Sequence, residues 1–80
     1  MTSKDTGEVR IYMTKDEKCA RRLARSLRRH GQNGYILADI GWRMHVATSD
    51  DFDDLWEHVQ QVLFTGGRIV DEFRGEKKDA

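Results

Sequence analysis

The sequence predicts an α+β fold in which strands and helices follow one another as β-α-β-β-α-β. Three observations carry that reading. Residues 15–30 and 52–63 place apolar side chains at helical spacing. Around them lie short apolar or alternating segments at 9–13, 35–38, 42–47 and 68–73, each of strand length. Proline is absent, so Gly, Asn and Asp must make the turns between them.

Taken in order, residues 1–7 are polar and form the expected lead-in. Val9, Ile11 and Met13 alternate with Arg10 and Tyr12, the period of a half-buried strand. Thr14-x-x-Glu17 fits a capping box opening the first helix. At about 100° per residue, Cys19, Ala20, Leu23, Ala24 and Leu27 fall on one side of it. His30 projects near Leu23 and Leu27, and Cys19 reads as a small core residue. Lys18, Arg21, Arg22, Arg25, Arg28 and Arg29 take the other side. Gly31, Asn33 and Gly34 tolerate the left-handed backbone that ends a helix.

Tyr35-Ile36-Leu37-Ala38 is a short, mostly apolar strand. Asp39-Ile40-Gly41 turns the chain, with a positive φ expected at Gly41. Trp42, Met44 and Val46 then alternate with Arg43, His45 and Ala47, completing a hairpin. Thr48-Ser49-Asp50-Asp51 signals a second helix start: a hydroxyl cap, then acids facing the positive end of the dipole. Phe52, Leu55, Trp56, Val59, Val62 and Leu63 define its apolar stripe, and Gly66-Gly67 stops it. Residues 68–73 give a peripheral strand, followed by a charged tail.

Eighty residues suffice for one domain, expected over 8–74 with flexible termini at 1–7 and 75–80. Both helices packed on one face of a four-stranded antiparallel sheet, a ferredoxin-like two-layer sandwich, is the economical arrangement. Its expected core is Val9, Ile11, Met13, Leu23, Leu27, Trp42, Met44, Val46, Leu55, Trp56, Val59, Leu63 and Ile69. Such a core is modest, and self-association as a homodimer would enlarge it.

Charged residues make up 35% of the chain and cancel to zero, so bulk charge does not name a partner. Their distribution is more informative. Residues 15–29 hold seven of the fourteen Lys and Arg against two acids, whereas Asp50, Asp51, Asp53, Asp54 and Glu57 stand in a stretch without Lys or Arg. A single Cys forbids an internal disulfide and points to a reducing, cytoplasmic setting. The longest apolar runs are a few residues, too short for a membrane span.

Two basic features could hold an anion. Arg22, Arg25 and Arg29 recur at i, i+3 and i+7, so three guanidinium groups could track a phosphate backbone. A solvated helix face answers the same pattern. On the expected open face of the sheet, Arg10, Tyr12, Arg43 and His45 would set an aromatic ring among cations, able to stack a base. Here Ile11-Tyr12-Met13 resembles the first-strand signature of the RNA-recognition motif, and Gly41 to Val46 is faintly similar to its third. An ordinary solvated sheet face explains the same residues more simply, since fold order alone does not imply function.

Catalysis and metal binding find little support. Cys19 and His30 lie about three helical turns apart, His45 has no sequence-local carboxylate, and His58 sits among Asp54, Glu57 and Gln61 on the exposed side of its helix. One Cys and three His without short ligand spacing make no zinc site. No cofactor is expected.

Leu27-Arg28-Arg29-His30 followed by Gly41-Trp42 resembles the N-terminal lobe of the tRNA 2'-phosphotransferases. The family carries Leu-Arg-His at a helix end and Gly-Trp or Gly-Phe about a dozen residues on. The resemblance implies that Arg29 and His30 hold a phosphate, that Arg68 matches a later Arg of the lobe, and that the fold is winged-helix-like. This chain has an extra Arg within the motif, one long helix after Trp42 where the family has two, and no counterpart of the NAD-binding lobe. The sequence thus implies a small domain that binds rather than catalyses. Its partner is nucleic acid or phosphate, through Arg22, Arg25, Arg29, His30, Arg10, Tyr12 and Arg43. The alternative is a protein, met through Asp50, Asp51, Asp53, Asp54 and Glu57.

Overall fold

The computed structural model describes residues 9–41 and 43–76. Strand β1 (Arg10–Thr14), helix α1 (Glu17–Arg29), strands β2 (Asn33–Ala38) and β3 (Met44–Ser49), helix α2 (Phe52–Phe64) and strand β4 (Arg68–Phe73) follow in that order. They form one four-stranded sheet, β1-β3-β2-β4, with every neighbouring pair antiparallel. The α+β class, the antiparallel sheet and the β-α-β-β-α-β order are those the sequence predicts. The expectations for residues 1–7, Trp42 and the last four residues lie outside the described residues.

Within that class the helices do not share a face. Register sets Tyr35 opposite Ala47 and Ile36 opposite Val46, and residues directly opposite in a ladder point the same way. Tyr35, Leu37 and Ala47 pack with Leu55, Val59 and Val62 of α2. Ile36, Val46 and Phe73 pack with Ala20 and Ala24 of α1. The sheet therefore separates two apolar clusters, one per helix. Handedness gives the reason. Both crossovers, β1 to β2 and β3 to β4, skip one strand and advance the same way across the sheet, but they leave from strands of opposite direction. Right-handed crossovers then lie on opposite faces. The sharing of one face, as in a ferredoxin-like sandwich, would need β4 beside β1, whereas it pairs with β2.

Helix α1 packs on β1, β2 and β3; α2 packs on β2, β3 and β4. Central β2 and β3 are covered on both sides, and every residue in 34–38 and 45–49 is buried. Each edge strand is roofed chiefly on one side. That offset redistributes the expected core. Val46, Leu55 and Val59 are buried, and Val9, Leu23, Leu27 and Met44 pack partly buried against the clusters. Ile11, Met13, Trp56, Leu63 and Ile69 are instead substantially exposed. Tyr35, Ile36, Leu37, Ala47, Val62 and Phe73 fill the core in their place. Cys19, at the edge of the apolar arc, is exposed rather than core.

Turn chemistry departs from expectation in four places. Asp16, not Thr14, caps α1, its carboxylate accepting from the Cys19 amide at 2.9 Å. That hydrogen bond holds the Asp16 carboxyl below its ordinary pKa. Thr14 closes β1 and donates to the Met44 carbonyl. Asp51 caps α2, accepting from the Asp53 amide at 3.0 Å, while Thr48 and Ser49 end β3. In the β2–β3 turn the Asp39 carboxylate accepts from the amides of Gly41 and Arg43, and Gly41 needs no positive φ. The fourth is Gly34. It lies inside β2, while Gly31, at φ 84°, turns the chain out of α1. Gly66, at φ 96°, ends α2 as expected, and the Gly67 amide reaches the Val62 carbonyl at 2.9 Å.

Candidate anion-binding face

The arginines of α1 divide by where the helix presents them. Ala20 and Ala24 face the sheet, so at 100° per residue Arg22 and Arg29 stand on the outer ridge and Arg21, Arg25 and Arg28 on the flank toward β4. Because α1 sits over β1, β3 and β2, that flank overhangs the uncovered face of β4. The result is an open groove of about 440 Å³, bordered by Arg21, Arg25, Arg28 and Arg74 and floored by Ile36 and Phe73.

Three of these four guanidinium groups are already engaged. Arg21 bridges Glu17 on its own helix and Asp71 of β4, each at 2.8 Å. Its hydrogen bonds raise its pKa, Asp71 contributing most, and lower that of Asp71 in return. The pair is exposed and acts as a clasp at one part of the groove, where screening keeps its energetic weight small. Arg28 donates to the Arg74 carbonyl at 3.3 Å and lies 3.9 Å from the Glu76 carboxylate. Arg74 itself stacks over Phe52, 4.3 Å from the ring centre. Arg22, Arg25 and Arg29 are exposed and carry no carboxylate partner among the described residues.

His30 follows α1 as its C-cap, exposed, with Nδ1 2.9 Å from the Ser26 carbonyl. It does not join the apolar arc. With Arg29, Gly31 and Glu76 it lines a second shallow hollow. The residues expected on one open sheet face are dispersed. Arg10 and Tyr12 lie opposite Thr48 and Val46, on the α1 side; His45, opposite Met13, points to the α2 side; Arg43 stands exposed before β3. They form no joint surface, because β1 and β3 pair in a register that sets Tyr12 opposite Val46 and Met13 opposite His45, one residue away from the expected grouping.

The acidic residues of α2 sit on the far side of the sheet, and Asp50 at its end. Asp50 accepts from the Gln32 side-chain amide, and its carbonyl accepts from the Asn33 amide group. Asp51 is the cap of α2, and Asp53, Asp54 and Glu57 are exposed along that helix. The sheet thus stands between these acids and the arginines of α1.

Sequence reasoning missed two features. Arg74 lines the groove from beyond β4 and offers its carbonyl to Arg28, while its guanidinium lies over Phe52 on the α2 side, a placement with no local signal. His58 is the other. It is half-buried rather than solvated, and meets His45 edge to face with ring centres 5.6 Å apart. Its Nε2 is enclosed without a hydrogen-bond partner. Burial lowers the pKa of both rings; the neighbouring His45 lowers that of His58 further, and Asp39 partly offsets the effect on His45.

Among the described residues no group of three or more His, Cys, Asp or Glu could hold a metal ion, and no helix is long and apolar enough to cross a membrane. No protein-family model, curated protein or solved structure matches the chain.

Proposed function

We propose that this domain binds nucleic acid, gripping the phosphate backbone with the arginine-bearing side of α1. The observation that carries the reading is the separation of charge by the sheet. Arg22, Arg25 and Arg29 are unpaired with carboxylates among the described residues, while the acids of α2 lie on the opposite face. Guanidinium groups are weakly hydrated and offer forked donors, which suits them to phosphate oxygens. The groove beside them leaves room for sugar or base. Arg29 and His30, the positions that the phosphotransferase resemblance implies for phosphate, border the adjoining hollow. Arg10, Tyr12 and Arg43 are too dispersed to serve as one stacking platform, so the grip falls to the helix. The domain acts as a binder, and its lone exposed thiol fits a reducing cytoplasm.

Fluorescence anisotropy with short RNA and DNA between 25 and 200 mM salt tests this. Binding should weaken with salt, and an R22Q/R25Q/R29Q variant should bind at least about tenfold more weakly with a salt slope shallower by about 2 to 3. No binding, or binding indifferent to salt, would overturn it.

A protein partner is the second reading, favoured by the outer ridge of α2. There Phe64, 87% exposed, stands with Asp53 and Glu57 on the side turned from the sheet. An acidic helix with one protruding ring suits a basic groove that has an apolar pocket. Affinity capture would then be lost in a D53N/D54N/E57Q variant that still binds nucleic acid as the parent does. Capture that ignores the three substitutions removes this helix from consideration.

A further inference from the structure

We propose that Asp71 is a built-in competitor for the phosphate that the groove receives, holding Arg21 until a bound strand takes that guanidinium over. The inference rests on the nucleic-acid reading above and adds what restrains the grip. Asp71 lies opposite Ile36 in the ladder, so its side chain points to the α1 side of β4 and lines the groove. One oxygen, Oδ1, accepts from the Glu72 amide at 2.8 Å, which fixes the carboxylate beside the strand. The other, Oδ2, accepts from Nη1 of Arg21 at 2.8 Å.

The two ends of the Arg21 guanidinium meet different surroundings. Its Nε donates to Glu17 along the helix at 2.8 Å, and Glu17 does not line the groove. Its Nη1 meets the carboxylate that does. Carboxylate and phosphate oxygens call on the same forked donors, and two anions crowded onto one nitrogen repel each other. A phosphate therefore reaches this end of Arg21 by replacing Asp71.

The fold also provides a way in. Arg25 lines the same groove four residues on, about 6 Å along the helix axis. It has no carboxylate partner among the described residues. A strand seated first on Arg25 brings its neighbouring phosphate within reach of Arg21. The pair to be displaced is weak, because its side chains are 46% and 49% exposed and water screens them. Asp71 thus acts as a brake of a few-fold, not as a block.

Fluorescence anisotropy with short single-stranded RNA and DNA at low salt tests this. D71N keeps the shape of the side chain and gives up its charge, and it should bind about three- to fivefold more tightly than the parent. The control is E72Q, which loses the same charge one residue on but lies opposite Tyr35, on the α2 side. Its affinity should stay within about 1.5-fold of the parent's. In an R21Q background, with no guanidinium to release, D71N should gain no more than E72Q does. Binding that D71N leaves unchanged or weakens, that D71N and E72Q tighten equally, or that D71N tightens as much without Arg21 overturns the competitor and leaves the nucleic-acid reading in place. No binding by parent or variant overturns both.

Discussion

Gly34→Ala is expected to cost about 3 kcal/mol, at the upper end of what overpacking a tight site usually costs. A Cβ at this position would run into the Phe73 ring and the Ala47 carbonyl oxygen. Neither can give way easily. The carbonyl belongs to the neighbouring strand, and Phe73 is buried against Ile36 and Val46 in the cluster beneath α1. A chain of this length is stable by roughly 4–12 kcal/mol, so the single methyl removes a large share. Urea denaturation followed by circular dichroism measures the loss. Trimming the ring should return part of it, so that G34A/F73L is less damaged than the two single changes added together. A Gly34→Ala protein within about 0.5 kcal/mol of its parent would show that β2 and β4 do not approach as described.

Acidification should unfold the domain more readily well before its carboxylates titrate. His45 and His58 have folded pKa values lowered by burial, whereas in the unfolded chain both titrate near 6.5. Above that pH both states hold neutral imidazoles and stability is complete. As pH falls through 6.5, the unfolded chain takes up protons that the folded chain resists, so stability drops until the folded pKa values are passed. Stability should therefore fall between pH 7.5 and 5, read as a lower urea midpoint. Asp16 and Asp71 act in a separate window. Their lowered pKa values stabilise the fold above about 3.8 and are felt only in stronger acid. His58→Phe should reduce the effect near pH 6. A midpoint constant from 7.5 to 5 would contradict the enclosed imidazole pair.

Much of this architecture is legible in the sequence because local periodicity carries it. The spacing of Phe52, Leu55, Val59 and Val62 marks α2, and Gly66 marks its end. What periodicity cannot tell is which edge β4 joins. That choice lies in pairing over thirty residues away, and it decides whether the helices share a face. The unbroken run Tyr35-Ile36-Leu37-Ala38 is the one clue to it, since a strand covered on both sides needs no polar alternation. Reading that strand as half-covered leaves Ile11, Met13 and Ile69 to fill a core that the second helix layer fills instead. It also gathers Arg10, Tyr12, Arg43 and His45 into a surface the fold does not have. The arginine arc survives because it depends on one helix alone. Arg74 and the His45–His58 contact depend on tertiary approach, and no short-range pattern announces them.

The sheet that parts the two clusters also insulates them electrically. Helix and sheet layers pack about 10 Å apart, so the outward ridges of α1 and α2 stand more than about 20 Å from each other. At physiological ionic strength a field decays over about 8 Å. The charges on one outward ridge therefore act on their surroundings independently of those on the other.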